Sequence, residues 1–155
     1  MILLQTKKEK IIIFIIILIL ISLPLYNKNQ DHTFSINDYK GKWVVINYWA
    51  EWCTPCIEEI SELNKLNSTY SDYVKVLGVN FDRLEAENLS KAIKKININF
   101  ENLKSDPSDI LKISRPSALP TTYLYNTDGK LSFKLVGPQT VESILAKIKI
   151  EKKTY

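Results

Sequence analysis

The sequence predicts a small α/β sandwich: a central mixed β-sheet flanked by helices on both faces, behind an N-terminal membrane-anchor helix. Three observations carry this expectation. Two apolar runs, "WVVINYW" (Trp43 to Trp49) and "VKVLGVN" (Val74 to Asn80), enclose a segment with one apolar face of helical period. Two further strand-like segments, 121–125 and 131–136, are joined by an Asp-Gly turn. The third is an apolar stretch, Ile11 to Tyr26, directly after "KKEK".

That first stretch is 16 residues, interrupted only by Ser22 and Pro24. Its length falls between a signal-peptide core and a full membrane span. Isoleucine on every face leaves no polar side for water, so a buried core helix is a poor fit. No A-x-A-like site follows, and no cysteine stands there to accept a lipid. An uncleaved signal-anchor over residues 1–26 is therefore expected ahead of a cleaved signal peptide. Lysines precede the stretch and none follows at once, which places the N-terminus in the cytoplasm. The expected protein is a single-pass one of the inner (cytoplasmic) membrane, with its domain in the periplasm or an equivalent space. Residues 27–33, "NKNQDHT", read as a linker, and His32, the one histidine, as an exposed part of it.

The domain is expected over residues 34–155. "FSINDYKGK" (Phe34 to Lys42) reads as a short strand or turn leading to a glycine. Trp43–Trp49, apolar and aromatic throughout, suits a central strand buried on both faces. Ile57, Ile60, Leu63, Leu66 and Tyr70 recur every three or four residues, predicting a helix from about Cys53 to Thr69. Val74–Asn80 is a second strand, so the three form a βαβ unit with parallel strands and a right-handed crossover. Leu89, Ala92, Ile93 and Ile96 mark the next helix. Residues 105–120 carry three prolines and predict a loop with one short helix. "TTYLY" is a strand, "NTDGK" a turn, and "LSFKLV" alternates with Leu131, Phe133 and Leu135 on one face. Val141, Ile144, Leu145 and Ile148 close the chain with an amphipathic helix on the sheet. The order is βαβαβ, then a hairpin, then a helix.

Charge excludes some functions. The chain is +4, with three Lys and one Glu in residues 1–26, which leaves 18 basic and 16 acidic residues after them. The domain is close to neutral, and no basic stretch interleaves with aromatics, so nucleic-acid binding has little support. The tail "KIKIEKKTY" reads as the solvated end of a helix.

The two cysteines, Cys53 and Cys56, stand in "WAEWCTPCIEE". A structural zinc needs four ligands, and two Cys with one distant His do not supply them, so no metal is expected. A disulfide staple across two intervening residues closes too short a loop to stabilise much. Redox chemistry explains the position better. The pair follows a strand and opens a helix, where unpaired N–H groups and the positive dipole end favour a thiolate at Cys53. Cys56, one turn on, can attack a mixed disulfide formed at Cys53. Pro55 suits the first helical turn, and Trp52 reads as a shield and docking surface.

"VVINYWAEWCTPC" resembles the active-site strand and motif of the thioredoxin superfamily. The chain is similar to its membrane-anchored, extracytoplasmic branch, the TlpA/ResA/DsbE-like thiol-disulfide oxidoreductases. "LPTTYLYNTDGK" (Leu119 to Lys130) is similar to the family's second motif, and the resemblance covers roughly residues 34–150. It implies a thioredoxin-like fold, a cis peptide at Pro120 beside the cysteines, and a Leu119 that offers backbone polar groups to an extended partner chain. Thioredoxin itself has a proton-relaying Asp six residues before the first cysteine, and here that position is Asn47. The ResA-like branch has a Glu three residues after the second, here Glu59, whereas Glu58 points away into solvent. A carboxylate at Glu59 could take the proton of Cys56 and, when ionised, would oppose thiolate formation.

The resemblance therefore implies a protein disulfide reductase: Cys53 attacks, Cys56 resolves, Glu59 manages protons, and Trp52, Leu119 and Pro120 receive the substrate. No cofactor is implied. Partners would be disulfide-containing exported proteins, apocytochrome c among them, and a membrane electron donor of the CcdA or DsbD type, with the chain itself a monomer. Other readings are a reductase outside cytochrome c biogenesis, an oxidase or isomerase, and a non-catalytic anchored module. A peroxidase would need a lone Cys in a basic pocket, and no Arg lies near this pair in sequence. One departure stands out: "SRPSALP" puts Arg115 and Pro116 where relatives often carry a valine and smaller residues.

Overall fold

The structure is a computed structural model and describes residues 7–27 and 34–149. The linker from residue 28, with His32, and the tail from residue 150 lie outside the described residues. The chain divides into two compact units, Met1–Thr33 and Phe34–Tyr155. In the first, helix α1 spans Lys7–Asn27, and residues 10–20 are exposed. Among the described residues, no helix is long and apolar enough to cross a membrane.

The second unit opens with a short 3-10 helix, Ile36–Tyr39, in place of the strand or turn expected there. Ser35 caps it by accepting the Asn37 amide. Strand β1 (Trp43–Trp49) follows, then α2 (Thr54–Thr69), β2 (Val74–Asn80), α3 (Ala86–Lys95) and the two-residue β3 (Glu101–Asn102). A one-turn helix α4 (Ser108–Leu111), the hairpin β4 (Thr121–Tyr125) and β5 (Leu131–Val136), and helix α5 (Val141–Ile148) complete it. The sheet runs β3-β2-β1-β4-β5. β1 pairs parallel with β2 and antiparallel with β4, and β4 pairs antiparallel with β5. The mixed sheet expected from sequence is this one.

β1 is central because nearly all of it is apolar on both sides. Val44, Ile46 and Tyr48 enter one core cluster, and Val45 and Trp49 the other. The second of these holds the buried faces of α2, α3 and α5. The first is covered by the 3-10 helix, Leu111 of α4 and neighbouring loop residues. Both faces carry helices, as expected, but unequally: three amphipathic helices on one and two single turns with loop on the other.

Two sequence assignments shift. Ile57, placed on the buried face of α2, is 39% exposed, and that face is Cys56, Glu59, Ile60, Leu63 and Leu66. β5 is less covered than a half-buried hairpin strand, with Leu131 and Phe133 both exposed. It lies at the sheet edge, and only Leu135 of its inward face packs on the core. The turn before it is as expected: Gly129 takes φ +77, and Asn126 donates its amide to the Lys130 carbonyl, accepts the Gly129 amide at its own carbonyl, and accepts the Asp128 and Lys130 amides through its side chain.

Register sets the position of the site. Trp49 stands opposite Asn80, and Tyr48 opposite Thr121. The end of β1, the end of β2 and the start of β4 therefore meet at one end of the sheet. Cys53, Phe81 and Pro120 follow or precede those ends by a few residues.

Candidate active site

Cys53 is the N-cap of α2, with extended backbone (φ −91, ψ 93), and its sulfur accepts the Cys56 amide at 3.3 Å. Pro55 occupies the first turn, where a missing N–H leaves no helical bond unmade. The first turn holds no acidic side chain, so nothing there opposes the dipole's preference for negative charge at Cys53. The two sulfurs form a disulfide, and the Cα atoms are 5.3 Å apart. Cys56 is fully buried and Cys53 retains 5% exposure. Cys53 is thus the sulfur nearer solvent.

The Leu119–Pro120 peptide is cis, and Pro120 is buried with Leu119 half-buried beside it. Two bonds hold this turn: Gly137 donates its amide to the Pro120 carbonyl at 2.9 Å, and Thr121 Oγ1 donates to the Ala118 carbonyl at 2.8 Å. Trp52 is 65% exposed. Its indole N–H donates to the Asp82 carboxylate at 3.0 Å, and its ring meets Phe81 edge-on at 6.3 Å.

Behind the disulfide lies a buried polar group. Glu59, 3% exposed, sits three residues after Cys56 on α2, on the same buried face. Asn47 donates through Nδ2 to Glu59 Oε1 at 2.7 Å and to Thr122 Oγ1 at 3.1 Å. The Gln139 backbone amide donates to Glu59 Oε2 at 2.7 Å. Burial pushes the Glu59 carboxyl up to about 7, against the pull of these two hydrogen bonds. Asn47 Oδ1 is also buried and, among the described residues, has no hydrogen-bond partner. Glu58 is exposed, as expected.

Asn47 and Glu59 stand out in the sequence for separate reasons, and the fold brings them into direct contact. Sequence reasoning missed Thr122 and Gln139. Thr122 is marked only by the strand register, in which its partner is Asn47. Gln139 acts through its main chain, which no side-chain pattern marks. A second cluster was also missed. Asp106, 5% exposed at its side chain, accepts the Tyr48 hydroxyl at 2.8 Å, the Ser108 amide at 3.0 Å and Arg115 Nε at 2.6 Å. Burial pushes the Asp106 carboxyl up, and these bonds outweigh it, holding the group below its ordinary value. Among the described residues, no group of three or more His, Cys, Asp or Glu is placed to hold a metal.

Fold and site together define a thioredoxin-like protein with a Cys-x-x-Cys disulfide at a helix start and a cis-proline directly before β4. More particularly, the chain belongs to the AhpC/TSA family, whose sequence pattern matches residues 20–134. It is 30% identical over 110 residues to "Thiol-disulfide oxidoreductase ResA" of Bacillus cereus, covering 70% of this chain and 63% of that one. It is 30% identical over 120 residues to "Thioredoxin-like protein YneN" of Bacillus subtilis, covering 76% of this chain and 69% of that one. The crystal structure of the exposed lipoprotein thioredoxin Etrx1 from Streptococcus pneumoniae superposes with a TM-score of 0.65 at 23% identity, over 75% of this chain and 90% of that one. That likeness establishes the fold.

Proposed function

We propose that the chain is a thiol-disulfide oxidoreductase that reduces protein disulfides outside the cytoplasm, held to the membrane by residues 1–26. The Cys53–Cys56 disulfide is the oxidised form, the state left after a substrate has been reduced. From the dithiol, the Cys53 thiolate attacks a substrate disulfide, forms a mixed disulfide and expels one substrate thiolate. Cys56 then passes its proton to Glu59, attacks the Cys53 sulfur as a thiolate and expels the second substrate sulfur as a thiolate. Two electrons have moved from the protein to the substrate. A membrane donor of the CcdA or DsbD type returns them.

The observation that carries the reductant reading is Glu59. A carboxyl in this buried position, with its affinity for a proton raised toward neutrality, can receive and return one near physiological pH. Ionised, it adds negative charge behind Cys56 and disfavours the thiolate form, which goes with a more reducing couple. Apocytochrome c cysteines are the favoured substrate, as the resemblance to the TlpA/ResA/DsbE-like branch implies.

The deciding measurement is the reduction potential, by equilibration against a dithiol buffer. A value as oxidising as that of DsbA-like proteins sinks the reductant assignment. Substrate is settled by a Cys56→Ser variant mixed with a C-x-x-C-H peptide. Capture of other exported proteins, with no capture of this peptide, moves the substrate away from cytochrome c.

A further inference from the structure

We propose that Arg115 is a positioning residue that fastens the cis-proline loop to the Phe81–Trp52 wall and so sets how well an extended polypeptide disulfide is held against Cys53. The inference rests on the oxidoreductase reading above.

Arg115 lies between α4 and β4, five residues before Pro120. Its Nε donates to Asp106 at 2.6 Å, and a terminal guanidinium nitrogen donates to the Phe81 carbonyl. The guanidinium carbon stands 4.2 Å from the centre of the Phe81 ring. The same ring meets Trp52 edge-on, and Trp52 is the neighbour of Cys53. One side chain therefore ties the loop that ends in Pro120 to the segment after β2. Asp106 anchors the tie to the sheet, because it also accepts the hydroxyl of Tyr48 in β1. Of the loop's other bonds, Tyr123 to the Ser114 carbonyl and Thr121 to the Ala118 carbonyl stay with its own strand, and Gly137 to the Pro120 carbonyl runs to the end of β5. None of them reaches Phe81 or Trp52, and the exposed Arg83 meets Asp106 only as a 3.8 Å ion pair.

Phe81 and Leu119 are partly buried and pack against both core clusters, so both stand at the sheet end where the site lies. An extended chain bonded to the Leu119 backbone has to lie between that loop and the Trp52 side. The spacing of those two sides is what Arg115 holds. A small disulfide needs only Cys53. Lysine cannot substitute, since one ammonium does not provide a planar face for Phe81 and two fixed donors at once.

The test is single-turnover reaction of the pre-reduced full chain, followed by tryptophan fluorescence, for wild type, Arg115→Met and the milder Arg115→Lys. Substrates are an extended disulfide-bonded peptide and bis(2-hydroxyethyl) disulfide. Thermal melts identify the folded variants, and Arg115→Lys keeps a cation against Asp106 should Arg115→Met not fold. The expected result is a fall of about tenfold in the ratio of peptide to small-disulfide reactivity, as a misplaced binding wall produces. It is carried by the half-saturating peptide concentration rather than the limiting rate. A ratio within about twofold of wild type, whether both substrates slow together or neither does, overturns the inference. Wild-type protein that reacts with neither substrate overturns the oxidoreductase reading itself, and the inference with it.

Discussion

Replacing Glu59 by glutamine should remove a pH-dependent loss of stability from the oxidised protein. In the folded state burial raises this carboxyl from its ordinary 4.5 to about 7. Between those two values the native state holds a proton that the unfolded chain has released. Unfolding stability therefore falls as pH rises through this window. The full difference corresponds to about 3 kcal/mol, present below pH 4.5 and lost by the time Glu59 ionises in the fold. For a domain of this size that is roughly 10 °C in melting temperature. Working with the disulfide form keeps Cys53 and Cys56 from titrating. Asp106, held low, changes charge below this window. The substitution fits the site if the Asn47 amide turns over. Its unpartnered Oδ1 can then accept from the introduced side-chain amide, whose own oxygen keeps the bond from the Gln139 backbone. The assay is urea denaturation of both proteins from about pH 5 to 8. Wild type should lose about 2 to 3 kcal/mol across that range and Glu59→Gln should stay nearly flat. Parallel curves would refute the burial argument.

Other perturbations probe the same framework. Asn47→Asp places a second carboxylate where Nδ2 now lies 2.7 Å from Glu59. The two cannot both ionise cheaply, so carboxyl NMR should show one of them titrating above the wild-type Glu59 value of about 7. Gly78→Ala would drive a Cβ into Asn102 Oδ1, which accepts the Trp49 indole at 2.8 Å. With that N–H displaced from its partner, chemical denaturation should register a loss of about 2 kcal/mol. Tyr48→Phe removes one donor from the buried Asp106 and should cost about 2 kcal/mol by the same measurement.

The parts legible in the sequence are those whose burial is periodic. β1 and β2 end where their apolar runs end because both faces are buried, and α5 is marked because Val141, Ile144, Leu145 and Ile148 are all buried. β5 alternates like a half-buried strand, yet its Leu131 and Phe133 face a region that α5 only partly reaches; Lys147 stands 6.0 Å above Phe133. Alternation reports which side a residue points to and not whether anything lies there. In the site, Cys53, Cys56 and Pro120 are marked by local chemistry at fixed spacing. The Asn47–Glu59 bond joins residues twelve apart on different elements, and Arg115 reaches Phe81 across 34 positions. Such contacts arise from sheet order, which the sequence left open.

The Pro120 carbonyl takes its bond from Gly137, the residue that follows β5. β5 borders the sheet and is exposed along most of its length. Border strands open at lower free energy than central ones. The cysteine side of the site is therefore footed on the buried strand β1, while one bond of the proline side is moored at a border strand. Amide exchange should grade across the site accordingly, slow behind Cys53 and faster at Gly137.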